Sequence, residues 1–251
     1  MTEQTREITI ITGGSRGIGA STVLALARSG HDVAFSYRRD ADAADAVRRQ
    51  ATDAGACCVA VQADVADPEQ VRDLFEQAAA HGIITGLVNN AGVTAHIGEL
   101  ADTPVEVIRT VIDVNLFGAV LCARQAVQSM SRRRGGRGGV IVNVSSAAAT
   151  LGSPHEYVHY AAAKAGVEAL TVGLAKEVAD EGIRVNSVAP GVVDTEIHAD
   201  AGDPGRPQRA RARIPLGRPA RPEEIASAIA WLLGSEASYT TGAVVRVAGG
   251  I

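Results

Sequence analysis

Lysine is almost missing from this chain. Of its 24 basic residues only Lys164 and Lys176 are lysines, the other 22 are arginines, and 28 acidic residues bring the formal net charge to −4. That balance argues against nucleic acid as a partner, because such binding rests on a basic footprint. An ammonium shifts its pKa readily when desolvated, whereas a guanidinium stays charged and prefers forked hydrogen bonds. A lysine kept against so strong an arginine bias points to a place that needs a compact, titratable cation. Aromatic residues are scarce too, at 3%, so the core must be built from Ala, Val, Leu and Ile, which suits close packing of helices on a sheet.

Cysteine is represented only by Cys57, Cys58 and Cys122. An odd number, two of them adjacent, matches neither a disulfide framework nor the spacing of a metal site, so they are expected to be reduced, buried small hydrophobes. No apolar run approaches the roughly 20 residues of a transmembrane helix. The stretch Met1–Arg6 lacks the apolar core of a signal peptide, so a cytoplasmic protein without a membrane partner is expected.

What is present is an alternation of short β-branched runs with longer Ala-rich stretches of helical period, the pattern of a parallel sheet covered on both faces. Strands are predicted at 8–11, 33–36, 57–61, 86–89, 140–144, 184–188 and 243–247. The helices between them are predicted at about 17–29, 40–54, 68–82, 104–131, 157–181 and 222–234, the third opened by Asp67 as N-cap and Pro68 at the first helical position. With no break in composition, this implies one α/β domain over 1–251, a Rossmann-type doubly wound fold with a seven-stranded parallel sheet and helices on both faces. Residues 195–221 are rich in Pro, Gly and Arg without a period, and their place after a strand suggests a substrate lid. The arginines of 132–137 have no interleaved aromatics, so they are read as a solvated connection and not an RNA-binding segment.

Thr12-Gly13-Gly14-Ser15-Arg16-Gly17-Ile18-Gly19 follows the first strand directly and opens the first helix. Glycines there allow a tight turn and bring the backbone N–H groups of Gly13, Ser15, Arg16, Gly17, Ile18 and Gly19 toward a pyrophosphate at the positive helix end. An acidic residue ending the second strand would select NAD through the ribose 2′-hydroxyl. This chain has Tyr37 there, followed by Arg38 and Arg39. Arg16 and one of these two, preferably Arg38, would converge on a 2′-phosphate, which guanidinium groups bind bidentately, so NADP(H) is expected over NAD(H). The alternative is that Arg38 and Arg39 merely begin a solvated helix.

The spacing T-G-x-x-x-G-I-G, with Asn90-Ala91-Gly92, Asn115, Ser146, Tyr160-Ala161-Ala162-Ala163-Lys164 and Pro190-Gly191 following in order, resembles the short-chain dehydrogenase/reductase family over residues 6–250. Leu151–Ala165 and the final Val247-Ala248-Gly249-Gly250 resemble its branch of 3-oxoacyl thioester reductases and glucose dehydrogenase-like enzymes. The resemblance implies cofactor contacts from Asn90, Ala91, Gly92, Pro190, Gly191, Val193 and Thr195, and an adenine clamp at Asp64 and Val65. It also implies that Lys164 bonds the nicotinamide ribose and that Asn115 holds a water in a proton relay behind the lysine. A homotetramer is implied as well, assembled through helices such as the last one, with its Ile225, Ile229, Trp231 and Leu232.

Tyr160 and Lys164, four apart on a predicted helix, share one face at a separation of about 6 Å. Free tyrosine titrates near 10, and a neighbouring cation is expected to lower that by about 1–3 units. Tyr157 is a rival acid, though its place at the helix start suits a pocket wall better. Ser145 and Ser146 compete for the catalytic serine. Ser146 stands 14 residues before Tyr160, one more than the family's usual spacing, with the extra residue near Ser153-Pro154-His155. Ser146 is preferred, and Ser145 is expected to continue the strand end. His155 and His159 are i, i+4 but lack a third ligand, so no metal is expected; His155 and His96 are expected to border the pocket, covered by 197–214.

The expected activity is reduction of a ketone or aldehyde to an alcohol, in which Ser146 bonds the carbonyl oxygen and Tyr160 donates a proton refilled through Lys164, water and Asn115. One rival is a 3-oxoacyl thioester reductase acting on carrier-protein or coenzyme A esters, with the arginines of 132–137 docking an acidic carrier. Another is a nucleotide-binding protein that has lost catalysis.

Overall fold

The computed structural model describes residues 6–251; the N-terminal reading of residues 1–5 lies outside them. Seven strands form one parallel sheet: β1 (Glu7–Ile11), β2 (Asp32–Tyr37), β3 (Cys58–Gln62), β4 (Ile83–Asn89), β5 (Gly139–Val144), β6 (Ile183–Pro190) and β7 (Val244–Val247). Their spatial order is β3-β2-β1-β4-β5-β6-β7, so the direction of winding reverses between β1 and β4. In an open parallel sheet that reversal parts the loops at the carboxyl ends of the strands and creates the crevice where ligands bind. β4 begins three residues earlier than its apolar run predicted, because Ile83 pairs with Glu7 across the sheet.

Strand alternation separates two cores. Ile8 and Ile10 of β1 face one side and Ile11 the other, all fully buried. On the first side α3 (Pro68–Ala79), α5 (Gly118–Met130) and α7 (Val158–Glu177) pack Leu74, Phe75, Cys122, Ala126 and Ala175 against the sheet. On the other, α1 (Gly17–Arg28), α2 (Ala41–Asp53) and α10 (Pro222–Leu233) contribute Val23, Leu26, Val47, Ile225, Ile229 and Leu232. Ile225, Ile229 and Leu232 are therefore used up inside the subunit, and of the four apolar residues marked on the last helix only Trp231 stays half-exposed. Alanines line both interfaces, which is how a chain so poor in aromatics reaches close packing. Cys58 and Cys122 sit with their thiols pushed up to about 12 by burial, and all three cysteines are unpaired.

Two predicted segments differ. The helix predicted over 104–131 is α4 (Val105–Ile112), a π-helical turn Asp113–Phe117, and then α5. Asn115 is the cause: its amide Nδ2 donates to the Val111 carbonyl one turn back at 2.8 Å, which competes with the regular ladder and opens the turn. The segment 195–221 is not structureless. It holds α8 (Ile197–Asp200) and α9 (Arg206–Ala210), while a further short helix, α6 (Ala148–Leu151), precedes α7.

Candidate active site

The turn after β1 is tied down from two sides. Thr12 Oγ1 accepts from the backbone N–H of Asn90 at 2.9 Å and of Ala91 at 3.0 Å, and Asn90 Nδ2 donates to the carbonyls of Thr12 and Gly13. Ser36 on β2 accepts from the N–H of Gly13 and Gly14. Asn90 thus ties the two loops of the crevice together. Helix α1 begins here with no side-chain cap and no acidic residue in its first turn, whereas α2 and α3 are capped by Asp40 and Asp67. Its first N–H groups, at Gly17, Ile18 and Gly19, are left for an external anion. A β-carbon on Gly19 would collide with the Gly13 carbonyl oxygen, so only glycine allows the loop to fold this tightly.

The arginines chosen for a 2′-phosphate lie on either side of this loop, each with a carboxylate partner. Arg16 pairs with Asp200 of α8, and Arg38 Nε lies 2.9 Å from Asp64 Oδ2. Asp64 also accepts from the Ala66 N–H, so the carboxylate expected to face adenine is held by two protein donors. Arg39 is exposed and makes no ion pair among the described residues. Beyond β6, Gly191 is pressed on Ala248, Val193 bridges to Ala220, and Thr195 packs over Gly17 of the phosphate loop. The segment 195–221 therefore starts on the loop itself.

Tyr160 and Lys164 project from the first turns of α7, both buried, with Nζ 5.7 Å from the phenol ring centroid. Nζ donates to the Val144 carbonyl at the end of β5 at 2.8 Å. Burial pushes the ammonium down to about 8. Burial also raises the Tyr160 phenol above its ordinary value, and Tyr157 adds to this; the hydroxyl of Ser146 and the guanidinium of Arg206 act in the opposite sense without overcoming it. The lowering by a lysine cation expected from the spacing is thus reversed, because desolvation of a phenolate costs more than these partners return. A protonated phenol is the form that can donate a proton.

The two serines separate cleanly. Ser145 Oγ donates to Glu168 Oε1 at 2.9 Å and to the Lys164 carbonyl, facing away into α7. Ser146 acts on the Tyr160 phenol, and its Oγ accepts from the Ala148 N–H at the start of α6. Asn115 is bonded at both ends of its amide: Oδ1 accepts from the Val93 N–H, and Nδ2 donates to the carbonyls of Val93 and Val111. It fixes the loop after β4 through these bonds. Gly92 lies between the parts of the site: a β-carbon there would come 2.7 Å from Asn115 Oδ1 and 3.5 Å from Lys164 Nζ.

The pocket walls carry backbone strain. The only non-glycine residues with positive φ among those described are Ala95, Ser153 and His155, all in the two loops flanking Tyr160. His155 and His159 do not share a helical turn, because α7 starts at Val158. His155 bonds Glu99 at the exposed rim, while His159 is buried. No group of three or more metal-ligating side chains is gathered among the described residues. Tyr157 packs edge-on against Tyr160 with centroids 5.2 Å apart and is itself covered by Arg206 of α9.

Thr12, Ser36 and Arg206 were not marked as site residues from the sequence. Thr12 and Ser36 act through loops distant in the chain, and Arg206 stands in a segment without periodicity. The arginines of 132–137 precede β5, whereas Ser146 follows its other end. Six strand residues put about 20 Å between them, with the arginines at the amino ends of the strands, away from the crevice.

Residues 13–251 match a family described as enoyl-(acyl carrier protein) reductase. The uncharacterized oxidoreductase YgfF of Escherichia coli (strain K12) is 46% identical over 244 residues, covering 97% of this chain and 99% of that protein. Among solved structures, a doubly substituted mutant of a Serratia marcescens short-chain dehydrogenase/reductase superposes with a TM-score of 0.89 at 34% identity, covering 97% of each chain. A blue fluorescent protein from a metagenomic library, in complex with NADPH, superposes with a TM-score of 0.88 at 33% identity and the same coverage.

Proposed function

The chain belongs to the short-chain dehydrogenase/reductase family of oxidoreductases, and on that premise we propose that it is an NADPH-dependent reductase of ketones or aldehydes, with Ser146, Tyr160, Lys164 and Asn115 as its working set. The observation that carries this reading is the meeting of a protonated, buried phenol with Ser146 and with a lysine that titrates near neutrality. Nicotinamide, when bound, supplies hydride. Ser146 holds the carbonyl oxygen, Tyr160 donates the proton to it, and Lys164 restores the phenol. Asn115, which fixes the loop after β4, would hold a water in the proton relay behind Lys164.

The uncapped α1 and the closely folded Gly13–Gly19 turn suit a pyrophosphate, and the residues after β4 and β6, with Val65, complete the cofactor crevice. Arg38 and Arg16 suit a 2′-phosphate, which would take over donors now shared with Asp64 and Asp200; the NADPH complex of a relative supports the same choice. A 3-oxoacyl thioester reductase is a second reading, favoured by the acyl carrier protein description of the matched family. The arginines of 132–137 lend it no support, since they lie at the amino ends of the strands, opposite the crevice.

No helix among the described residues is long and apolar enough to cross a membrane, and the unpaired cysteines suit the cytoplasm. We place the chain in a homotetramer: Phe117, Val120, Val158 and Val172 form one exposed apolar set on the first side of the sheet, and Trp231 with Val244 of β7 forms another. Fluorescence titration with NADPH, followed by turnover of ketones, aldehydes and 3-oxoacyl thioesters, tests the reading. Binding without turnover of any of them would favour a nucleotide-binding protein without catalysis.

A further inference from the structure

We propose that Arg206 determines substrate specificity, and that the carbonyl compounds turned over here carry a carboxylate that Arg206 binds. This rests on the carbonyl-reductase reading. The arginines of the lid region are not equivalent. Arg209 and Arg218 pair with Asp203 and Glu224 with side chains 66% and 46% exposed, whereas the Arg206 side chain is 16% exposed. Its guanidinium lies 4.8 Å from the Tyr157 ring centroid, and that ring is 5.2 Å from the Tyr160 ring, so the cation stands at most about 10 Å from the catalytic phenol ring. It is close enough to act on the charge of Tyr160.

Glu156 takes one hydrogen bond, from Nη2. The Tyr157 hydroxyl draws on the same guanidinium, but with five N–H donors in a rigid fork, donors remain for a further acceptor. Glu156 and the Tyr157 ring hold the fork in one orientation, which lowers the entropy cost of binding an anion. The same carboxylate would repel a doubly charged phosphate more than a singly charged carboxylate, so the ligand chemistry is that of an oxo acid. With the carbonyl oxygen at Ser146 and Tyr160 and the carboxylate at Arg206, the substrate needs a spacer of ring size or a short chain between the two groups.

The test uses matched oxo acids and their methyl esters under saturating NADPH, with the wild-type protein, Arg206→Met, Arg206→Lys and Glu156→Gln. The wild type should favour acids. Arg206→Met should lower kcat/KM for acids by roughly 10- to 100-fold, mainly through KM, the usual worth of a hydrogen bond to a charged group, and lower it far less for esters, with the ester KM little changed. Arg206→Lys should recover part of the loss. Glu156→Gln should lower KM for acids by freeing the fork. If Arg206 only pins the lid to Glu156, Arg206→Met and Glu156→Gln would each depress acids and esters alike, which overturns the proposal, as would equal turnover of acid and ester by the wild type. No turnover of either, with NADPH still bound, would instead sink the carbonyl-reductase reading itself.

Discussion

Lys164 Nζ stands 5.7 Å from the centroid of the Tyr160 ring and gives its hydrogen bond to the Val144 carbonyl, not to the phenol. Burial keeps the phenol protonated and lowers the neighbouring ammonium to about 8. A guanidinium could not titrate in this range, which accounts for lysine at 164 in a chain that otherwise uses arginine.

Replacing Tyr160 by Phe removes the proposed proton donor and keeps the ring that packs on Tyr157. Reduction should fall at least tenfold, while NADPH affinity by fluorescence stays near that of the wild type; the general-acid contribution is typically about 10²–10⁴. Residual activity above a tenth would remove Tyr160 from its role.

Lys164 links pH to both rate and stability. With a folded pKa of about 8 against 10.5 for the free group, the unfolded chain binds the extra proton between these values, so this residue makes stability rise with pH across that window and costs roughly 3 kcal/mol below it. Thermal melts of the wild type minus those of Lys164→Met should show the rise; the comparison cancels the cysteines, whose raised pKa works in the other direction. The rate of reduction should decline above about pH 8 as the ammonium that recharges Tyr160 is lost.

Arg38→Asp would set a second carboxylate beside Asp64 and remove the fork offered to a 2′-phosphate. NADPH affinity should drop by roughly 10- to 100-fold with NADH affected far less, as read from dissociation constants for both. An unchanged ratio would move the phosphate contact away from Arg38.

Gly92→Ala should lower both activity and melting temperature, because the new methyl would press on the amide of Asn115 and approach the Lys164 ammonium. The expected destabilisation is about 1–3 kcal/mol. A variant with wild-type melting and turnover would mean that the loop after β4 yields more readily than its hydrogen bonds indicate.

Sedimentation velocity should give a tetramer, and Trp231→Glu should reduce it to a smaller species while the fold persists, since Trp231 faces outward and Ile225, Ile229 and Leu232 hold α10 to the sheet. A wild-type monomer would contradict the assembly.

Much of this molecule is local and was legible as such. Period-2 and period-3.6 runs define the seven strands and their crossover helices, Asp67-Pro68 marks the start of α3, and the i, i+4 spacing puts Tyr160 and Lys164 on one face, because each of these depends on neighbours a few residues apart. The glycine turn after β1 announces a phosphate-sized bend for the same reason. The tertiary structure decided what depends on burial and on partners far along the chain. It separated Ser146 from Ser145 by the helix each faces, broke the 104–131 helix at Asn115, and assigned Arg16 and Arg38 to Asp200 and Asp64. It also raised the Tyr160 pKa where the spacing had suggested a fall, since desolvation is set by everything packed around a group and is invisible in its spacing from one cation. Arg206 is the clearest case: a residue in an unpatterned stretch acquires a place in the pocket only when α9 folds over Tyr157.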